Sequence, residues 1–275
     1  MLLLALSACT PQQLANDCTV AARVAALPRE LREASGVAVD SRDRIWVIAD
    51  SGPPFLYSID PNNGIAQRVR ILDAAVDDWE DLASGPCGST GACLYIAEIG
   101  DNLHSAATRA VLRVPEPEPG DSSARAERFA FRFPDGPSDA EALAVLPDQT
   151  MLVITKGRNR AIGVYRYPTP LVADSVVTLE RIASLSSGIV QLPAQITGAA
   201  SDPAGTLLVL RSYLALQLYH LEDDGLERIG APYDLTGLRE PQGEGIALTR
   251  DGHVVLVGEA PGGGTVAGLQ CELPE

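Results

Sequence analysis

The chain has 275 residues, 46% of them hydrophobic, which is ample for one large all-β domain or two ordinary ones and excludes a disordered chain. Its 36 acidic against 21 basic residues give a formal charge of −15, so nucleic acid and anionic membrane surfaces would be repelled over most of its exterior. That balance suits a cation or a localised basic pocket, or serves solubility alone.

The first segment, MLLLALSACT, is a short apolar run whose Leu6-Ser7-Ala8-Cys9 resembles the lipobox of bacterial lipoproteins. The resemblance implies a signal peptide over 1–8, a lipid on Cys9 and a tether over 9–17, although no basic stretch precedes the apolar run. It places the protein outside the cytoplasm, touching the membrane only through its lipid, because no other run approaches the ~20 apolar residues of a spanning helix. Four cysteines remain, an even number for an oxidising compartment, and two disulfides are expected. Cys87 and Cys93 flank the Gly-rich turn GPCGSTGAC; Cys18 and Cys271 pair only if the two ends of the chain meet.

From residue 18 onward one pattern recurs five times: a first apolar run, a turn, a second run ending in a charge, then a third run. The first runs are SGVAVD (35–40), EDLAS (80–84), EALAVL (141–146), TGAASD (197–202) and EGIALT (244–249). The second runs are RIWVIAD (44–50), CLYIAE (93–98), MLVITK (151–156), LLVLR (207–211) and VVLVGE (254–259). Asp-Gly, Pro-Ala-Gly and Pro-Asp-Gln turns join them as hairpins require. A fourth, outer strand follows four of the units, at 65–72, 127–134, 176–185 and 226–235, with 115–127 read as a long exposed loop. The fifth unit runs out of chain, and CTVAARVAAL (18–27) is the unassigned β-like run that can complete it. The expected fold is therefore all-β, a single five-bladed β-propeller over 18–275 closed by its N-terminal strand, which sets Cys18 beside Cys271. A large β-sandwich would show regular strands but gives no reason for a charge to recur at one repeat position.

In a propeller the first strand of each blade lines the channel and the second runs back, so the start of one and the end of the other open on one face. The starts carry Ser35, Glu80, Glu141, Thr197 and Glu244; the ends carry Asp50, Glu98, Lys156, Arg211 and Glu259. Lys156 is the one lysine of the chain, every other basic residue being arginine. A basic arc of Lys156 and Arg211 should thus face an acidic arc across one mouth. Converging glutamates repel each other by several kcal/mol in a partly dry channel. A hard cation such as calcium, ion pairs from Lys156 and Arg211, or carboxyls that keep their protons would each relieve that.

The adjoining loops bring Asp101 and His104 (in IGDNLHSA) as candidates for proton transfer. Arg158 follows Lys156, and Tyr213 follows Arg211; with those two cations they would line an anion site. No P-loop, G-x-S-x-G, HExxH or CxxC is present, leaving nucleotide, serine-hydrolase, zincin and thiol-redox readings without support.

The stretches ASGVAVD, DWEDLA, YIAEIGDN, DAEALAV, VITKG and GEGIAL resemble bacterial extracytoplasmic propellers of the esterase-like-phytase and phytase-like grouping. The resemblance implies a divalent cation, calcium first, on Glu80, Glu98, Glu141 and Glu244, and a phosphate held by Lys156, Arg158 and Arg211. The denser acidic cluster and sixth blade of phytases are missing. The expectation is a monomeric, lipid-anchored propeller with a metal-assisted hydrolytic site for a small anionic substrate, a phosphoester among them. The alternatives are a non-catalytic module that binds a protein partner and a divalent-ion-dependent lactonase resembling the gluconolactonase propellers.

Overall fold

The computed structural model describes residues 18–60, 64–89, 91–222, 225–249 and 251–274, without the side chains of 23 and 24. The signal peptide, Cys9 and tether expected over 1–17 lie outside these residues. The described strands form five sheets arranged as the blades of a five-bladed β-propeller.

Blade one stacks Ala34–Val39, Ile45–Ala49, Phe55–Asp60 and Gly64–Leu72 from axis to rim; blade four stacks Ile196–Ser201, Leu207–Ser212, Ala215–Glu222 and Gly225–Asp234. Blade five has three strands of its own, Gln242–Leu248, His253–Glu259 and Thr265–Cys271, and takes Cys18–Ala26 as its fourth. That closing strand is antiparallel, with Cys18 opposite Cys271 and the two joined as a disulfide; the second disulfide joins Cys87 and Cys93.

Both faces of each blade are buried, which is why the inner strands read as unbroken apolar runs rather than alternating ones. In Ile45–Ala49, Trp46 and Ile48 point into the seam with blade two, whereas Val47 and Ala49 point into the seam with blade five. Five apolar clusters occupy the five seams, the most aromatic lying between blades two and three around Tyr95, Phe129, Phe131 and Tyr165.

Two expectations about the outer strands need correction. The run 176–185 divides: Val176–Thr178 pairs in parallel with Ala130–Arg132 on the rim of blade two, while Glu180–Ser184 completes blade three. Leu179 between them is buried in the seam, so the chain crosses over it. The loop 115–127 also carries a strand, Ser123–Arg125, laid in parallel along Arg70–Leu72 of blade one, with Ala124 and Ala126 packed on the seam below. Each segment covers an otherwise open sheet edge and ties one blade to its neighbour.

Five blades leave a tight axis. A Cβ on Gly36 would stand 2.4 Å from the Leu82 backbone nitrogen, and one on Gly245 would stand 2.7 Å from the Ser35 carbonyl oxygen. Asp81 occupies the equivalent place in blade two, and its carboxylate crosses the axis. It accepts the N–H groups of Leu82 (2.8 Å), Leu143 of blade three (2.9 Å) and Ala199 of blade four (3.1 Å). Gly36→Ala is expected to cost about 1–3 kcal/mol, because the obstructing atoms are backbone. Urea unfolding measures it, and an unchanged midpoint would contradict this contact.

Candidate active site

Each innermost strand breaks register with its neighbour at its first turn of pairing. The shifts fall between Ala34 and Val37, Trp79 and Asp81, Ala140 and Ala142, Ile196 and Gly198, and Gly243 and Ile246. The residues caught in them include Ser35, Glu80, Glu141, Thr197 and Glu244, the five that the repeat aligns at the first-strand start. A bulge puts two residues opposite one and re-aims a side chain; here it turns the three glutamates towards the mouth. The two hydroxyls stitch blades instead, Ser35 donating to the Trp79 carbonyl (2.8 Å) and Thr197 to the Glu244 carbonyl (3.0 Å).

Lys156 Nζ lies 2.6 Å from Glu141 Oε1, with both side chains buried. Glu141 in turn shares a hydrogen bond with Glu80, and Glu80 with Asp78. Gly100 backs this chain: a Cβ there would fall 2.1 Å from Glu80 Oε1. Burial first, then the charge of Glu141, pushes the Glu80 carboxyl well above the usual range. Burial raises Glu141 to about 7 against the pull of Lys156. Burial and the Glu141 charge raise Glu244 to about 8, with Gln242 Nε2 donating to its Oε1 at 2.7 Å. Glu259 is raised to about 7 by burial, Asp50 and Glu33, and Asp50 to about 6 by burial, Glu33 and Asp78. Burial lowers the Lys156 ammonium's affinity for its proton, but Glu141 more than reverses this and the net shift is upward. Tyr213, whose ring centroid is 6.0 Å from Nζ, is raised by burial to about 12 and remains a phenol.

The structure thus brings Glu80, Glu141, Glu244, Lys156 and Tyr213 together, and separates the other expected site residues. Arg211 is fully buried beneath the mouth, donating to the carbonyls of Gly245 (2.7 Å) and Val257 (2.9 Å) and paired with Glu240. Arg158 is occupied by Asp139 (3.4 Å) and the Asn102 carbonyl (2.9 Å). The basic arc therefore reduces to one ammonium. Glu98 faces Arg128 at 3.5 Å on the outer strand of its own blade. Asp101 is buried, its carboxylate accepting the N–H groups of Ser105 and Ala106 (3.0 Å each), which shapes its loop. His104, at φ 51°, lies against the Asn159 side chain.

Asp78, Glu240 and Gln242 were not singled out by the repeat. Asp78 lies two residues before Glu80 and Gln242 two before Glu244, so a wider view of the strand starts would have reached both. Glu240 gave no signal.

A groove of about 580 Å3, lined by Arg29, Arg32, Glu33, Gln242, Glu259 and Ala260, opens on this mouth. At the opposite end of the channel a cavity of about 330 Å3 includes Asp40, Glu116 and Asp202. Those carboxylates are consumed locally: Asp40 by Arg44 and Trp46, Glu116 by Ser41, Asp202 by the backbone of Thr206 and Leu207. Convergent carboxyls raised towards neutral pH, Glu141, Glu244 and Glu259, mark the first of the two ends as the site.

No protein-family model matches the chain, and no curated protein sequence matches it. Among solved structures, the PQQ-bound aldose sugar dehydrogenase of Streptomyces coelicolor aligns at 11% identity with a TM-score of 0.57, over 95% of this chain and 100% of that one. The soluble aldose sugar dehydrogenase of Escherichia coli, in its apo form, aligns at 11% identity with a TM-score of 0.53, over 93% and 100%. A luciferin-regenerating enzyme aligns at 10% identity with a TM-score of 0.50, over 94% and 97%. At such identities the likeness is one of fold, and chemistry has to be argued from the site.

The divalent cation expected at the glutamates does not fit the donors as arranged. Among the described residues no three His, Cys, Asp or Glu side chains are grouped to hold a metal ion, and the Lys156 ammonium stands among the carboxyls that would have to coordinate it.

Proposed function

We propose that this mouth is a hydrolytic site for a neutral, hydroxyl-bearing ester, a lactone among them, working by carboxyl acid–base chemistry. The observation that carries it is that Glu244 and Glu259 both stand within the field of Lys156 as carboxyls pushed upward, Glu244 to about 8 by burial, Glu141 and Glu259, and Glu259 to about 7 by burial, Asp50 and Glu33. Carboxyls whose environments separate their pKa values near the working pH can divide acid and base roles. Glu259, at the groove, takes a proton from water as its oxygen attacks the carbonyl carbon. The Lys156 ammonium and the Tyr213 hydroxyl donate to the oxyanion that forms. Glu244 gives its proton to the leaving oxygen as the C–O bond breaks, and proton exchange with solvent resets both groups.

A neutral substrate is favoured over a phosphoester because Arg158 and Arg211 are committed elsewhere, Lys156 is paired, and the surrounding groups are acidic. Gln242 and the carboxyls are suited to sugar-like hydroxyls. The two disulfides and the Cys9 motif support residence outside the cytoplasm on a lipid anchor.

Acid release from a panel of aldonolactones and aryl esters, with aryl phosphates alongside, tests this reading. Turnover is expected to peak between about pH 7 and about pH 8. Glu259→Gln should remove the acidic limb and Glu244→Gln the alkaline limb, each with a loss of about 10²-fold or more. Hydrolysis restricted to the phosphates would restore the phosphoesterase reading; no turnover of any of them would leave a binding module.

A further inference from the structure

Seven large apolar side chains stand exposed among the described residues, and four of them belong to loops of the mouth: Leu103 (85% exposed), Ile189 (58%), Leu192 (66%) and Leu214 (37%). Strand order puts these loops there. The segments 99–108 and 213–214 each join a second strand to a third, and 185–195 joins the outer strand of blade three to the first strand of blade four. Hydrogen bonds set the loops side by side. Arg158, two residues after Lys156, donates to the Asn102 carbonyl (2.9 Å). The Val190 N–H donates to the Gly157 carbonyl (2.8 Å) and the Ile196 N–H to the Lys156 carbonyl (3.1 Å). Ile196 is the strand partner of Ser212, which Tyr213 and Leu214 follow. The four side chains thus stand on one arc of loops over blades two to four, on the flank of Lys156 and Tyr213. Blades five and one bring the polar groove of Glu33, Gln242 and Glu259 to the same mouth.

We propose that this arc holds the aliphatic chain of an amphiphilic substrate, an ester or lactone whose hydroxyl-bearing part lies in the polar groove; this rests on the reading of the mouth as the substrate site. Single exposed apolar residues are ordinary on any surface, whereas several gathered around one pocket mark a place where apolar surface is covered. The arc is continuous with the site, since one of its loops is bonded to the Lys156 backbone and another begins at Tyr213. A second copy of the chain is disfavoured as the occupant by the charge of −15 that each copy carries. A membrane is disfavoured by direction. The chain enters the described residues at Cys18, opposite Cys271, and the Cys271 N–H bonds the Gly252 carbonyl (3.3 Å) in the turn between the first two strands of blade five, at the end away from the mouth. An anchor preceding Cys18 would turn the mouth away from its own bilayer. What suits an apolar arc beside a polar groove is one small molecule with both characters.

The test is calorimetric binding of alkyl β-glucosides from butyl to octyl, each below its micelle concentration; they carry hydroxyls and a chain but no ester bond. Wild-type Kd is expected to fall about 2-fold per added methylene, the yield of partial burial. Leu103→Ser/Leu192→Ser, at two exposed positions, should flatten this dependence. Val20→Ser/Val172→Ser, at exposed positions off the mouth, should leave it intact. A wild-type Kd independent of chain length, or no binding, would overturn the proposal. So would a dimer in ultracentrifugation that Leu103→Ser/Leu192→Ser dissociates, or phosphatidylcholine vesicles that bind the wild type and not that variant. Rates on alkyl esters of matching chain length separate the two readings: graded binding without turnover removes hydrolysis and keeps the chain site, whereas turnover with ungraded binding does the reverse.

Discussion

Arg211→Met is expected to destabilise the protein by about 3–5 kcal/mol, the cost of leaving one charge of a buried pair without its partner. Arg211 is fully buried and its partner Glu240 nearly so. The guanidinium also satisfies the carbonyls of Gly245 and Val257, on the first and second strands of blade five. Gly243 makes room for it, since a Cβ there would stand 2.2 Å from Nη2. The contact is thus a strut from blade four into blade five, the blade that also holds the closing strand. Arg211→Met/Glu240→Met should recover much of the loss by removing the stranded carboxylate. Urea unfolding of the two singles and the double decides it; a single variant with an unchanged midpoint would show that the strut carries no net stability.

The second large effect is on pH dependence, and its sign is opposite to that of most proteins. Glu141, Glu244, Glu259 and Asp50 all have folded pKa values raised above the unfolded ones, to about 7, 8, 7 and 6. A carboxyl that binds its proton more tightly when folded favours folding below its ordinary pKa, and this contribution is lost as pH rises to the folded value. Lys156, raised above its own ordinary value, loses its contribution only in strongly alkaline solution. Glu33 is held low by the Ser51 hydroxyl; Asp40, despite burial, is held low by the Trp46 and backbone N–H groups. Those two contribute in the opposite direction, and only at acidic pH. Stability is therefore expected to fall by on the order of 7 kcal/mol between about pH 5 and about pH 8.5 from Glu141 and Glu244, with the half-exposed Asp50 and Glu259 left out. Glu244→Gln should flatten the profile and raise stability at the alkaline end by roughly 1–3 kcal/mol. Denaturation across this range is the measurement, and a profile that rises with pH would refute the raised carboxyls.

Much of the architecture was legible because repetition is a one-dimensional signal. The runs from SGVAVD to EGIALT align by inspection, the fifth lacks a successor, and CTVAARVAAL has no other home. Blade number, ring closure and the Cys18–Cys271 pair follow from counting. The two outer exchanges, Ser123–Arg125 and Val176–Thr178, were not legible: a three-residue rim strand has no periodicity of its own, and its partner belongs to another blade.

The candidate site divides along the same line. That Glu80, Glu141, Glu244 and Lys156 share one mouth was determined by the sequence, since equivalent places in a closed ring of repeats must face the same end. Repeat position says nothing about the direction a side chain takes after leaving the backbone. Packing decided that Lys156 turns inward to Glu141 while Arg211, its counterpart one blade on, drops beneath the ring to Glu240, and that Glu98 swings out to Arg128. Tertiary structure alone set which charges are neutralised, because neutralisation depends on distances of a few ångströms between residues far apart in the chain.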